Sequence, residues 1–536
     1  MAMFGRGAMS NSQTELENAP LIFATGTNTT ETHPVLALRV KRAVSKGAKL
    51  MVADPRKIGL TEFAHRWLPL KIGSDTVLYN TMAHVIIEED LYDHEFVSER
   101  TEGLGELRKF LKTYTPEYGE SHTGLPREEI VAAAREYAIA ERAAVIYTLG
   151  VTEHVHGVYN VQALANLTML TGNLGIPSAG LNPLRGQNNV QGAGDMGALP
   201  AFLPGYQRHG DDEARARFEK EWGVELDPKP GLTKVAAVEE MLEDRIKGLW
   251  VMGENTIVSE ANTNKTREAL GELDLMVVQD LFLTETAQVA DVVLPAAAYA
   301  EVEGTYTNTD RRVQRLRKAV DAPGVARSDW EGILEVANRM GYAMSYSGPS
   351  EVWDEAARLA PIISGISYER IEKEGLQWPC PTPDHPGTSF LHEHTFVSGR
   401  GRFMMTPHVP AAEPPDDDYP FVLTTGRRRP TYHTGTMTRR DERLNELVPE
   451  EVLEINLEDA VDLRLEDGDE ADVSSRRGTL RLPVKITDMS PAGIAFMSFS
   501  FPDKAMTNVL TTDEHDPQSH TAQFKATAVQ IRRVAG

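Results

Sequence analysis

The sequence predicts an α/β fold: two parallel-sheet lobes followed by a C-terminal β-barrel. Three features carry that expectation. Short apolar runs rich in Val, Ile and Leu end repeatedly at Gly, Asn or Asp, as strands buried on both faces do. Helical patterns fill the gaps between the runs, as a parallel sheet requires. After the stretch PAAEPPDDDYP at 410–420 the texture changes to short strands and tight turns.

In chain order, LIFATGTN at 21–28 is the first strand and its terminal loop. PVLALRVKRAVSKG follows as a helix, with apolar Val35, Leu38, Ala43 and Val44 and a stop at Gly47. KLMVADPRK at 49–57 is the second strand, and KIGSDT leads into the helix-like TVLYNTMAHVI. REEIVAAAREYAIAERA is rich in helix formers. AVIYTLGVTEH at 144–154 is a third strand, and YNVQALANLTMLTGN a helix that breaks at Gly172. LWVMGEN, LMVVQDLFLTET and DVVLPA form a second batch of strands beyond residue 248. FVLTTG, EVLEINLED, EADVSS, GTLRLPVKIT, IAFMSFSF and ATAVQIRRV read as the barrel strands. The expected division is 1–150 for the first lobe, 151–415 for the second and 416–536 for the barrel.

Composition excludes several function classes. The chain has 536 residues, 41% hydrophobic and 25% charged, with a net charge of −24. That balance repels nucleic acid. No run of 18 apolar residues marks a membrane span, and MAMFGRGAMSNS lacks the apolar core of a signal peptide. With one cysteine, Cys380, the chain cannot form an internal disulfide or supply four thiolates to a cluster. Cys380 reads as a small buried apolar residue. No phosphate-loop, HExxH or GxSxG motif occurs.

In open α/β sheets, ligands bind beyond the carboxyl ends of the strands, where GTN, ADPR, MGEN and QD fall. Asp54 of ADPRK suits a ribose, a base or the paired donors of a guanine edge, and Arg56 a phosphate. An ordinary strand-end Asp with a surface Arg fits as well. Gly26 permits close backbone approach, and Asn28 is a short donor and acceptor; His33 reads as a helix-start residue. Gly73, with Ser74 and Asp75, forms either a ligand turn or a helix cap.

LRGQNNVQGAGDMGALP at 184–200 crowds side-chain amides and glycines behind one cation, Arg185. Amides and exposed backbone N–H groups suit a flat polar heterocycle better than a metal. The planar fork of Arg185 suits a carboxylate. The same stretch also reads as a plain Asn- and Gly-rich loop with an Arg salt bridge. TTGRRRPTYHTGTMTRR at 424–440 is a phosphate-binding or simply solvated basic loop, and Lys525 an ordinary strand-edge lysine.

These stretches together resemble a family. LRGQNNVQGAGDMGALP, with MLTGNLG before it and LPGYQ after it, is similar to the signature of molybdopterin-dependent formate dehydrogenases, in the dimethyl-sulfoxide-reductase group. GTNTTETHP, GAKLMVADPRK, HVIIEEDLYD, QDLFLTETAQVADVVLP and HTGTMTRR match in order, so the resemblance covers essentially the whole chain. It implies a bis-molybdopterin guanine dinucleotide carrying Mo or W. Gly26, Asn28, Asp54, Arg56, Gly73 and Asp75 would hold one dinucleotide. Gly253, Asn255, Gln279, Asp280 and Asn308 would hold the other. Gln187, Arg427, His433, Thr436 and Lys525 would contact the pterins, and Arg185 would orient formate during oxidation to CO2. Iron–sulfur or NAD-linked subunits would accept the electrons, as in anaerobic respiration.

The resemblance also sets a departure. The family's Cys-rich [4Fe–4S] segment, its selenocysteine or cysteine metal ligand and the adjacent His would precede Met1. Three accounts follow: a selenocysteine codon read as a stop, with restart at the next Met; a gene break or a separate N-terminal subunit; or a non-catalytic binding module for the cofactor. A related oxidoreductase acting on another small substrate is a further reading. The isolated chain is expected to be inactive and poorly soluble. The expected compartment is the cytoplasm, with the periplasm left open because an export signal would also precede Met1.

Overall fold

In the computed structural model, residues 1–534 are described. They form two compact units, Met1–Leu184 with Val258–Asn264 and Phe390–Gly536, and Arg185–Ile257 with Lys265–Ser389.

The first unit is built on a five-stranded parallel sheet. Its spatial order is Arg66–Leu68, Lys49–Ala53, Leu21–Thr25, Ala143–Tyr147 and Gly180–Pro183. The chain winds outward in both directions from the Leu21–Thr25 and Ala143–Tyr147 pair, so their carboxyl ends mark a topological switch point. Both faces of the sheet are covered. Leu21, Phe23, Met51, Ala143 and Val145 pack on one side with Val77, Leu78, Ile86, Tyr137 and Leu164. Ile22, Ala24, Leu50, Val52, Ala144 and Ile146 pack on the other with Leu36, Val40, Ala43 and Ile58. Period-two alternation therefore sends successive apolar residues of the central strands into one core or the other.

The helices follow from their patterns, with one correction. Asp75–Glu88 and Gly157–Leu170 are buried on nearly every side, as helices apolar all round should be. In Pro34–Ser45 the buried residues are Leu36, Ala37, Val40 and Ala43, whereas Val35 and Leu38 are exposed. The pattern through Val35 and Leu38 named the wrong face, because alanines complete the buried stripe. The short strands Arg66–Leu68 and Gly180–Pro183 extend the sheet and carry too few apolar residues to stand out in sequence.

The closed barrel belongs to the same unit. Its strands run around it in the order Phe421–Gly426, Ile494–Ser498, Leu453–Ile455, Thr479–Ile486, Glu470–Ser474 and Thr527–Arg533. Leu423, Leu453, Val473, Val484, Met497 and Ile531 fill its core. EVLEINLED, expected as one strand, divides at Asn456. That side chain accepts from the Glu458 N–H at 2.9 Å and caps the helix Leu457–Leu463. The 410–420 stretch has no regular structure, yet Glu413 pairs with Arg476 and Arg477.

The second unit contains a three-stranded parallel sheet, in the order Val292–Pro295, Leu275–Asp280, Gly248–Met252. It also holds an antiparallel sheet of Gly304–Thr307, Arg312–Leu316 and Leu376–Gln377. DVVLPA was expected to be buried on both faces. As an edge strand it leaves Val292 and Val293 exposed instead. Cys380 is fully buried, with the guanidinium of Arg370 3.3 Å from its Sγ. Among the described residues no helix is long and apolar enough to cross a membrane.

Candidate functional site

The switch point of the first unit is shaped by two glycines. Gly26 has φ of +53°, and a Cβ there would lie 2.7 Å from the backbone of Gly150 and Val151. Gly150 N–H donates to the Gly26 carbonyl at 3.1 Å, and the Thr148 hydroxyl donates to the same oxygen at 2.8 Å. Only residues without side chains let the two strand-end loops meet so closely. Asn28 follows, half-buried, and its Oδ1 accepts from the Thr30 hydroxyl at 2.7 Å. The buried hydroxyls of Thr27 and Thr29 on either side have no hydrogen-bond partner.

Asp54 follows the Lys49–Ala53 strand, and Asp75 lies close enough for the two charges to couple. Asp54 accepts from the Arg56 N–H at 2.9 Å. Burial raises its carboxyl to about 6, against the pull of Arg56 and Lys525. Asp75 opens the Asp75–Glu88 helix after Gly73, whose φ is +81° and whose missing Cβ would face open space. Ser74 is the capping residue, but its hydroxyl donates back to the Lys71 carbonyl at 2.6 Å. Tyr79 donates to Asp75 at 3.3 Å and shares a 2.6 Å bond with Thr25, tying the acid to the central strand. Burial raises Asp75 to about 7, and the charge of Asp54 adds to the rise.

Arg56 is placed differently from a surface phosphate ligand. It is buried, donates to Glu454 and to Ser490, and lies 3.6 Å over the ring of Phe496.

The barrel adds cations to this unit. The Lys525 ammonium donates to the Thr425 carbonyl at 2.9 Å and pairs with Glu153 at 2.7 Å. It is thus not a loose strand-edge lysine. Arg427 stacks on Phe499 at 4.2 Å and makes no hydrogen bond or ion pair among the described residues. His433 meets the same ring edge-on at 5.2 Å. Thr436 shares a 2.8 Å bond with Thr434 in the same loop. Sequence reasoning passed over Glu153 and His154, which sit in a strand run read only for its hydropathy. His154 is buried, bonds the Gly150 carbonyl through Nε2 at 3.0 Å, and is pushed down to about 3 by burial.

In the second unit Gly253, Asn255, Gln279 and Asp280 gather at the ends of two parallel strands. Gly253 has φ of +60° with open space at its missing Cβ, and its N–H donates to the Gln279 carbonyl at 2.9 Å. Asn255 donates to Glu285 at 2.7 Å and accepts from the Thr286 hydroxyl at 2.9 Å. Gln279 donates to Asp329 at 2.8 Å, while its buried Oε1 has no partner. Asp280 accepts from the Leu281 N–H at 2.6 Å. Asn308 belongs to the antiparallel sheet, in the turn between Gly304–Thr307 and Arg312–Leu316, where its Oδ1 accepts from the Arg312 N–H.

That hairpin adjoins the amide-rich loop. Asn189 accepts from the Thr307 N–H at 3.0 Å, and the Thr309 hydroxyl accepts from the Arg185 N–H at 2.9 Å. Asn189 has φ of +58° and ends the loop at a short helix, Val190–Asp195, where the sequence suggested loop throughout. Gln187 is half-buried, and Arg185 donates through Nε to Gln191 at 3.1 Å. Behind Gln191 stand Asp195, Tyr206 and Trp378, none of which sequence reasoning assigned to the site. Asp195 lies with Gln191 inside the 184–200 stretch, but Tyr206 and Trp378 come from elsewhere in the chain.

Two family models match the chain. Molybdopterin oxidoreductase covers residues 3–339, and the molydopterin dinucleotide binding domain covers 421–528. The chain is 46% identical to the F420-dependent formate dehydrogenase subunit alpha of Methanocaldococcus jannaschii, over 99% of this chain and 79% of that one. It is 41% identical to formate dehydrogenase H of Escherichia coli, over 99% and 75% respectively. Among solved structures, acetylene hydratase from Pelobacter acetylenicus superposes with a TM-score of 0.78 at 21% identity, covering 97% of this chain and 81% of that one, a likeness of fold. Parallel sheets with glycine-opened strand ends, a closed barrel and these matches leave one assignment: the chain belongs to the molybdopterin oxidoreductase family.

Proposed function

We propose that the chain is the catalytic subunit of a formate dehydrogenase, binding a bis-molybdopterin guanine dinucleotide and oxidising formate to CO2. The observation that carries this reading is Arg185, a planar cation held by Gln191 in a glycine- and amide-rich loop. Such a fork is suited to a small carboxylate. The formate dehydrogenase names of the relatives support it.

The residues present fit the dinucleotides. Orphaned hydroxyls at Thr27 and Thr29 and the orphaned amide oxygen of Gln279 are buried groups that call for a polar partner. Gly73 and Gly253 leave room where a side chain would stand. Gly26, Asn28, Asp54, Gly73 and Asp75 would hold one dinucleotide, the carboxylates taking guanine donors. Arg56, committed to Glu454, would fix the ADPRK loop from behind. Gly253, Asn255, Gln279, Asp280 and Asn308 would hold the other. Gln187, Arg427, His433, Thr436 and Lys525 would meet the pterins. The cofactor, with molybdenum or tungsten, supplies the acceptor for two electrons. Arg185 binds formate by its oxygens and presents the C–H bond. An iron–sulfur or NAD-linked partner subunit would take the electrons; the name "subunit alpha" of the Methanocaldococcus relative supports a partner subunit, not its kind.

The test is formate-dependent dye reduction by the cofactor-loaded enzyme, with metal and guanine content measured on the same sample. Arg185→Lys keeps the charge but loses the fork. The formate KM should rise about 10- to 100-fold, the worth of one charge-assisted hydrogen bond. A loaded enzyme inert to formate would leave a cofactor-binding protein without this turnover. An unchanged KM in Arg185→Lys would point to another substrate.

A further inference from the structure

A glutamine amide can sit either way round, and its two ends differ only in hydrogen-bond sense. In this chain the Oε1 of Gln191 faces the Arg185 Nε at 3.1 Å. What settles the orientation lies behind it. Gln191 Nε2 donates to Asp195 Oδ1 at 2.8 Å and to the Tyr206 hydroxyl at 2.7 Å. The second oxygen of Asp195 accepts from the Trp378 indole N–H at 2.6 Å. Trp378 is fully buried, and its carbonyl accepts from the buried guanidinium of Arg311. An ionised carboxylate only accepts, so Asp195 claims the NH2 end of Gln191 and leaves the oxygen for Arg185.

We infer that Asp195 is a positioning residue: by fixing which way Gln191 points, it gives Arg185 an acceptor and sets the guanidinium for a small carboxylate. The inference rests on the formate reading of Arg185.

Geometry supplies the mechanism, and protonation supplies a handle on it. Burial raises Asp195 to about 6, against hydrogen bonds from Gln191, Trp378 and Tyr206 and the charge of Arg185. Once protonated, Asp195 can donate. Gln191 can then turn its oxygen inward and its NH2 toward Arg185, donor against donor. Among the described residues, the other titratable groups facing Asp195 are Arg185 and Tyr206. Burial pushes the Tyr206 hydroxyl further up.

Two measurements test this. In the cofactor-loaded enzyme, the wild-type formate KM should rise about five- to tenfold from pH 7.5 to pH 5, with kcat moving less. In Asp195→Asn the KM should be raised about three- to tenfold at pH 7.5 and lose that acid limb, because asparagine both donates and accepts. In the chain without substrate, the nitrogen-15 signal of the Trp378 indole, identified by its loss in Trp378→Phe, should titrate with a midpoint near pH 6. In Asp195→Asn it should stand still. A wild-type KM and acid limb in Asp195→Asn, or an indole signal indifferent to pH in the wild type, overturns the inference. Should Asp195→Asn not fold, Tyr206→Phe removes one Gln191 acceptor without touching a charge. It should raise KM about two- to threefold, and an unchanged KM counts against the role. An unchanged KM in Arg185→Lys means that the formate reading has failed. A raised KM there with none in Asp195→Asn means that only the positioning role has failed.

Discussion

Glu454→Gln should destabilise the first unit by about 3–5 kcal/mol, the usual cost of removing one partner from a buried ion pair. Glu454 is buried and takes two guanidinium groups, Arg56 on one oxygen and Arg428 on the other. Arg428 also pairs with Glu451 at 2.8 Å, and Glu451 accepts from the Ser498 hydroxyl. Two cations and two anions thus balance in a place with little water. Burial pulls the Arg56 guanidinium below its ordinary value, and Glu454 resists the pull. A glutamine keeps the volume but leaves two guanidiniums to one remaining carboxylate. The check is urea unfolding, where the midpoint should fall with an unchanged slope. The exposed Glu466, changed to Gln, is the control for simple loss of charge and should move stability by no more than about 0.5 kcal/mol. A Glu454→Gln midpoint no lower than that of the control would remove the tetrad from the account.

The tetrad also shows where sequence reading stops. Arg56 and Glu454 are 398 positions apart, and no local pattern announces such a pair. The ADPRK motif identified Arg56 as a residue with a task but could not say that its guanidinium turns toward the barrel. By contrast, the central strands were legible because the physics that buries them is local. Leu21–Thr25 and Ala143–Tyr147 are apolar at every position or nearly so, since both faces of the sheet are covered. The glycines at 26, 73 and 253 were legible for the same reason: each sits at a positive φ where a run must turn. Helix Pro34–Ser45 was legible as a helix but not in its rotation, because alanine serves either face. Asp195 was the costliest omission. Its meaning depends on Trp378, which approaches from a segment 183 positions away.

Asp75→Asn should stabilise the chain without its dinucleotide by as much as about 4 kcal/mol at pH 8 and leave it unchanged near pH 4. The sign follows from the direction of the shift. Burial raises the folded carboxyl from an ordinary 3.8 to about 7, so the native state holds its proton more tightly than the unfolded chain. The resulting stability is fully present below about pH 4. It declines by about 1.4 kcal/mol per pH unit between the two values and is gone above about 7. Asp54, raised to about 6, adds a second decline in the same direction. Buried histidines oppose both: His154, pushed down to about 3, weakens the fold as pH falls below about 6.5. The comparison of Asp75→Asn with wild type at each pH cancels that background. Thermal unfolding from pH 4 to 8 measures it, and parallel curves for the two proteins would mean that Asp75 is ionised from the start. A guanine edge donating to Asp54 and Asp75 would favour their charged forms, so guanine nucleotide binding should expel a proton. GDP affinity should therefore climb from pH 5.5 to 7 and level off, with ADP showing no such climb. Calorimetry in two buffers of different ionisation heat reads the expelled proton directly, and its disappearance in Asp75→Asn would assign it.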